Sequence, residues 1–280
     1  MTGTGRANAV GALHADAESL AAAATTAGGD HVAFVADGTV DAWHARLEAG
    51  SGPGGTRCLV SVDDTVRGAS ASTAPSTRRV GDVMLSAVEA PVDDPASTLH
   101  DLLSVVDPAS GGSVIVDDPG VLLPADADPD AVVDDLLCVA AEFGVELHAV
   151  VAGDGPVVAA LFRRLPTADA AADRALADRL VSHLRETDPT NFGYLRRYWR
   201  EARRGLAAVE MTYPQSKQIH AALPDPETTP RTLGASLRGL VAVGALGVWG
   251  DTVAATRYDL TEYDPAFVDA VGAVLDDIED

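Results

Sequence analysis

The residues that could do chemistry in this chain are its cations. Twenty Lys and Arg stand against 42 Asp and Glu, and every cation except Lys217 is arginine. Five of the arginines, Arg196, Arg197, Arg200, Arg203 and Arg204, fall within residues 192–209. There the apolar positions Phe192, Leu195, Trp199, Ala202, Leu206 and Val209 recur at helical intervals, so the stretch predicts a helix with one face buried. This composition fills solvated faces with Asp, so two rows of arginine, with Arg196 and Arg200 in one of them, ask for an anionic partner.

Downstream the sequence reads MTYPQSKQIHAAL, PDPETTPRTLGASLRGLVAVGALGVWG and DTVAATRYDLT. The pattern predicts a short helix over 214–223 that buries Ile219 and Leu223. Prolines stop it in a turn at 224–227. A longer helix follows, capped by Thr228 or Thr229 with Pro230 in its first position. Leu233, Leu237, Leu240, Val241 and Gly244 share its inner face. The outer face shows Arg231, Thr232, Ala235, Arg238 and Gly239, small residues between two arginines, as a helix lying against a groove requires. Val248 and Trp249, a turn at Gly250 and Asp251, and residues 253–260 complete a hairpin. Helix, turn, helix and hairpin predict a winged helix–turn–helix. The expected DNA contacts are Arg231, Thr232, Ser236 and Arg238 on the second helix and Gln215, Lys217 and Gln218 on the first. Arg257 on the hairpin and Arg196 and Arg200 upstream complete the set. Winged helices also serve as protein–protein modules, but those need no cationic recognition face.

Charge is distributed to match. Residues 189–258 hold nine cations and five anions, whereas residues 1–188 hold 11 and 29, and the last 22 residues hold eight anions and no cation. The net charge is −22. Acidity with almost no lysine suits a halophile's cytosol at molar salt, where the Debye length falls to roughly 3 Å. It describes the solvent rather than the partner.

Catalytic patterns are not found. Histidines stand at 14, 31, 44, 100, 148, 183 and 220 without metal-ligand spacing, and GxSxG, HExxH and CxxC do not occur. Cys58 and Cys138 read as buried core thiols. GSGPGG at 50–55 precedes a strand instead of joining strand to helix, and no GxxxxGK[ST] is present. SVIVDD at 113–118 resembles the strand that ends in a magnesium-binding acid in RecA-like ATPases. Without a phosphate loop it reads as a sheet strand meeting a loop. The expectation is a protein that is not an enzyme and uses no metal or cofactor.

The elements behind these residues divide in two. Apolar runs at 31–36, 57–62, 112–116 and 145–151 alternate with helical stretches at 40–49 and 128–143. This is the signature of a mostly parallel sheet covered on both faces, of degenerate RecA or Rossmann type. Residues 67–79 read as a surface loop. From Leu165 the pattern becomes helical, with Thr167 or Asp169 capping one helix and Thr190 or Asn191 the next, which sets domains at 1–165 and 166–280. A last helix opens at Asp264 and Pro265 and buries Phe267, Val271, Val274, Leu275 and Ile278. Hydrophobic residues make up 47%, enough for packed cores. No apolar run approaches the roughly 20 residues of a membrane span, and residues 1–16 lack the apolar segment of a signal peptide. A cytoplasmic protein is expected.

Across its whole length the chain resembles the haloarchaeal transcription-factor family TbsP, the TrmB suppressors. NFGYLRRYWREARRGLAAVEMTYPQSKQIHAAL and TTPRTLGASLRGLVAVGALGVWGDTVAATRYDLT carry the resemblance. It implies regulation of central carbon metabolism, of glycolytic and gluconeogenic genes in particular. The expected partner is double-stranded promoter DNA, read by a homodimer joined through the 192–209 seam and the last helix. The α/β domain would sense a signal, a small-molecule effector among the options, or mediate assembly. The alternative is a degenerate RecA-like ATPase or signalling protein whose winged helix contacts other proteins.

Overall fold

In the computed structural model the chain separates into two compact units, Met1–Ala172 and Asp173–Asp280. The structure describes residues 11–27, 29–50, 57–63, 78–80, 83–108, 112–123, 127–153, 155–250, 256–261 and 263–278. The GSGPGG stretch after Gly50, most of the 67–79 loop and residues 251–255 of the hairpin lie outside them.

The first unit is a seven-stranded sheet built from β1 (Gly11–His14), β2 (His31–Val35), β3 (Arg57–Asp63), β4 (Arg78–Val80), β5 (Val83–Glu89), β6 (Ser113–Val116) and β7 (Glu146–Val150). Its order is β1-β7-β6-β2-β3-β5-β4. Every pairing is parallel except β4 with β5. β2 and β6 are buried along their whole length, which is why they read as unbroken apolar runs instead of alternating ones. Helices α1 (Ala17–Ala27) and α2 (Val40–Gly50) cover one face. Leu20, Ala21 and Ala24 of α1 and Trp43 and Leu47 of α2 pack there on Ala33, Val35, Leu59, Ile115 and Val150. The other face takes α3 (Pro95–Val106), α4 (Pro129–Glu142) and α5 (Gly155–Phe162). A small apolar crevice on that side is lined by Val116, Leu122, Leu136, Leu147, Val157 and Leu161. Residues 166–168 run beside β1, with Leu13 N–H donating to Pro166 O and Ala168 N–H to Leu13 O, both at 2.8 Å. The first unit therefore reaches past Pro166.

The second unit contains nearly all of α6 (Ala170–Thr187), then α7 (Pro189–Ala208), α8 (Ser216–Ala222), α9 (Pro230–Ala242), β8 (Gly247–Val248), β9 (Tyr258–Asp259) and α10 (Pro265–Asp277). Asp169 caps α6 by accepting from Ala172 N–H at 2.9 Å. Asp188, and not Thr190 or Asn191, caps α7: its carboxylate accepts from Asn191 N–H at 3.0 Å, which leaves Pro189 in the first helical turn. Asp264 caps α10 as its sequence suggests. The apolar seam of α7 packs mainly on α9, and Phe267, Val268 and Val271 of α10 are fully buried. The surface expected to join two subunits is thus already removed from water inside one unit. Cys58 is buried, and burial pushes its thiol up to about 11. Cys138 is exposed on α4, contrary to the core position expected of it. No helix among the described residues is long and apolar enough to cross a membrane.

Candidate nucleic-acid interface

Three helices and a ribbon build the site. Thr229 begins α9, its Oγ1 accepting from Thr232 N–H at 3.2 Å, with Pro230 behind it. Leu233, Leu237 and Leu240, all at 0% exposure, turn inward. Gly239 lets α9 approach α7 closely, because a Cβ there would sit 2.8 Å from that of Leu195. Residues 212–215, β9 and β8 form the ribbon. β8 pairs antiparallel with β9, and Trp249 N–H donates to Arg257 O at 2.9 Å. On its other edge β9 meets the segment before α8: Tyr258 N–H reaches Pro214 O at 2.9 Å, Leu260 N–H reaches Thr212 O at 3.0 Å, and Gln215 bridges Arg257. Tyr258 is buried, and its hydroxyl donates to Gly234 O at 3.3 Å, tying the ribbon to α9.

The expected contact residues do not share one fate. Lys217, Arg231 and Arg238 are exposed and form no ion pair among the described residues. Arg257 is exposed, with Nη1 donating to Tyr213 O at 3.2 Å. Thr232 is half-buried and shares its hydroxyl with Thr229 at 3.0 Å. Gln215 is also half-buried, and Gln218 is spent locally, its Oε1 accepting from Gln215 N–H at 2.8 Å. Ser236 does not face outward: it is at 0% exposure, on the same inward side as Leu233, Leu237 and Leu240. Ala235 and Gly239 are buried as well, the latter against α7. The open face of α9 is a narrow ridge of Arg231, Arg238 and Ala242.

Three of the five α7 arginines are matched from within. Arg203 grips Asp269 of α10 through Nε at 2.9 Å and Nη2 at 3.3 Å. Arg200 pairs with Asp276 at 2.5 Å and stacks over Trp199, whose Nε1 donates to the same carboxylate at 3.1 Å. Arg196 donates to Ile278 O at 2.8 Å, at the C-terminal end of α10, where a cation also meets the helix dipole. Arg174 of α6 takes Asp277 at 2.6 Å. Arg196 and Arg200 therefore belong to the packing of α10, and the anion met by their row is the α10 carboxylate edge.

One residue that sequence reasoning missed binds these parts together. Glu201 of α7 is 4% exposed. Its Oε1 accepts from Glu227 N–H and Thr228 N–H, both at 3.1 Å, and from Thr228 Oγ1–H at 2.9 Å. Its Oε2 has no hydrogen-bond partner. From α8, His220 Nε2 donates to Thr228 O at 2.7 Å. A signal was there to read: Glu201 is the only carboxylate in α7 and stands four residues before Gly205 on the buried side.

The first unit holds two further polar clusters. From β2 the chain runs to β3 and β5 on one side and returns to β6 on the other, so the strand order reverses between β2 and β6. Open α/β sheets take ligands beyond the strand ends at such a point. Here Asp117, just after β6, closes it. Its Oδ1 accepts from Ala36 N–H at 2.8 Å, and its Oδ2 from Asp37 N–H at 3.1 Å and Trp43 Nε1–H at 2.9 Å. Burial outweighs these bonds and lifts its carboxyl to about 6. Along β1 and β7, His14 Nε2 lies 3.0 Å from His148 Nδ1, and His148 Nε2 lies 3.1 Å from Glu146 Oε2. At the N-terminal strand ends, level with Glu146, His31 meets Ser113 Oγ at 2.8 Å. His14 is 3% exposed; burial, and then the neighbouring His148, pull it down to about 4. Among the described residues no group of three or more His, Cys, Asp or Glu could hold a metal ion.

Comparison with protein-family models, with curated proteins and with solved structures returns no match.

Proposed function

We propose that residues 189–261 form a winged helix–turn–helix and that the chain is a sequence-specific, double-stranded DNA-binding transcriptional regulator rather than an enzyme. The observation that carries this reading is the charge left over after folding. Lys217 on α8 and Arg231 and Arg238 on α9 stay exposed and without ion pairs among the described residues, although the chain carries a net charge of −22. Free cations on a helix–turn–helix pair, beside a ribbon that bears Arg257, suit phosphate and base-edge contacts. The edge made by 212–215 on β9 supports the wing, since it fixes the ribbon to the start of α8. The first unit is read as a sensing or assembly domain without ATPase activity. Asp117 supports this, since both of its oxygens are spent on Ala36, Asp37 and Trp43. A homodimer would match a pseudo-palindromic site, and its contact would then lie outside the α7 and α10 seam. A haloarchaeal origin and control of carbon-metabolism genes rest on composition and on the resemblance.

Selection from a random-sequence duplex library in molar potassium chloride tests the reading. Enrichment of one motif by the wild type is the expected result; recovery of unselected sequence at every round would reject it. A specific observation favours a protein-contact reading instead: Met211, Val248 and Trp249 are exposed at 43%, 46% and 50%, and Tyr213 lies 5.1 Å from Trp249. Failure of the selection would turn attention to that corner.

A further inference from the structure

We propose that Glu201 is a positioning residue for recognition, a buried clamp that sets the angle at which α9 presents Arg231 and Thr232; the inference rests on the DNA-binding reading above. Thr229 caps α9, so Glu227 and Thr228 are the two residues just before the helix, where backbone N–H groups have no helical partner. Glu201 takes both of those N–H groups and the Thr228 hydroxyl on one oxygen. His220 holds the Thr228 carbonyl from the opposite side. Thr229 then takes the N–H of Thr232. Backbone groups of residues 227, 228 and 232 are thereby fixed from α7, from α8 and from within α9.

Stability alone does not single out this arrangement. Burying a carboxyl group with one oxygen unpartnered offsets part of what its three accepted hydrogen bonds contribute. What the carboxylate supplies is direction. Without it, residues 227 and 228 keep only the His220 contact, and the first turn of α9 can pivot. Placement of a reading side chain matters on the scale of half an ångström and 10–20°. The first turn carries Arg231 and Thr232, so a pivot changes which base edges are reached while phosphate contacts elsewhere persist.

The test compares Glu201→Ala, Glu201→Gln and Thr228→Val with the wild type on the motif enriched from the random duplex library and on a scrambled duplex. Binding is read by fluorescence anisotropy and amide hydrogen exchange by NMR. Gln keeps the accepting Oε1, so Glu201→Gln should hold the specific-to-scrambled ratio within about threefold of wild type, and Thr228→Val should lower it less than Glu201→Ala. Glu201→Ala should lower that ratio by about tenfold or more, the discrimination of one base pair, with faster exchange confined to residues 227–232. A merely structural loss would weaken both duplexes equally and leave the ratio unchanged. An unchanged ratio in Glu201→Ala, with the wild type enriching a motif, overturns this inference alone. No enrichment by the wild type overturns the DNA reading and this inference with it.

Discussion

Two arginines separated by a few turns of chain should behave oppositely when removed. Arg203 is held in a two-pronged grip by Asp269, with its side chain 27% exposed and that of Asp269 57% exposed. Replacing it with Ala breaks a partly exposed ion pair, which contributes about 0.2–1 kcal/mol, and releases Asp269 into water without stranding it. The unfolding midpoint should fall by a few degrees at most, and DNA affinity should not move. Arg231 has no ion pair to lose among the described residues, so Arg231→Ala should leave stability within about 0.5 kcal/mol. If it reads a guanine it should weaken the specific duplex by about 1–3 kcal/mol, roughly 5–150-fold. If it touches phosphate instead, specific and scrambled duplexes should weaken together and the salt slope should fall by about one. Anisotropy titrations across a series of potassium chloride concentrations, run beside thermal unfolding, separate these outcomes. Equal loss of affinity in Arg203→Ala and Arg231→Ala would refute the reasoning, because it would mean that the α10 carboxylates do not occupy the α7 arginines when DNA is bound.

Other consequences are as direct. His14, lowered to about 4, is neutral in the fold. Its contribution is present above its unfolded value near 6.5 and is lost as pH falls toward 4, by about 3 kcal/mol at most. Asp117 runs the other way, because its raised value gives stability that is present below about 3.8 and lost as pH rises through about 6. Between pH 4 and 6 the two oppose each other. His14→Gln should therefore show stability falling with pH in urea titrations, relative to the wild type; parallel curves would dismiss this balance. Trp43→Phe removes one of three donors to the buried Asp117 carboxylate and should cost about 1–3 kcal/mol, measured by chemical denaturation. Gly272→Ala would set a Cβ 2.4 Å from the Trp199 ring and should destabilise the second unit by about 1–3 kcal/mol, with a shift in Trp emission. Wild-type stability in that variant would show that α10 does not pack as described.

Local signals served the sequence well wherever a residue answers to its own neighbours. The largely buried strands β2, β3, β6 and β7 announce themselves as apolar runs, and Thr229 with Pro230 marks the start of α9. β1 stayed hidden because four residues, GALH, give no period to detect. β5 carries Ser86 inside its run, and α1 is mostly Ala and Thr, so neither has a strong apolar pattern. Ser236 was misplaced for a different reason. A small polar side chain on α9 looks free to face outward, but α9 has helices on two flanks, and only a ridge remains open.

The arginine rows of α7 expose the limit of counting charge along a chain. Summed by segment, residues 189–258 are positive and the last 22 residues are negative, which suggests a cationic module and an acidic tail. Folding brings those two segments side by side. Asp269, Asp276, Asp277 and the carbonyl of Ile278 meet Arg203, Arg200, Arg174 and Arg196 in that order. Charge that is compensated at 3 Å attracts little at 10 Å, and in strong salt it attracts still less. On the DNA-binding reading, the cations that matter are those left without an ion pair on α8 and α9. Lys217, Arg231 and Arg238 stand on the two helices most directly clamped by Glu201 and His220. By that reading, exposed cations without ion pairs beside a rigidly held helix start suit an anion whose position matters, not merely its charge.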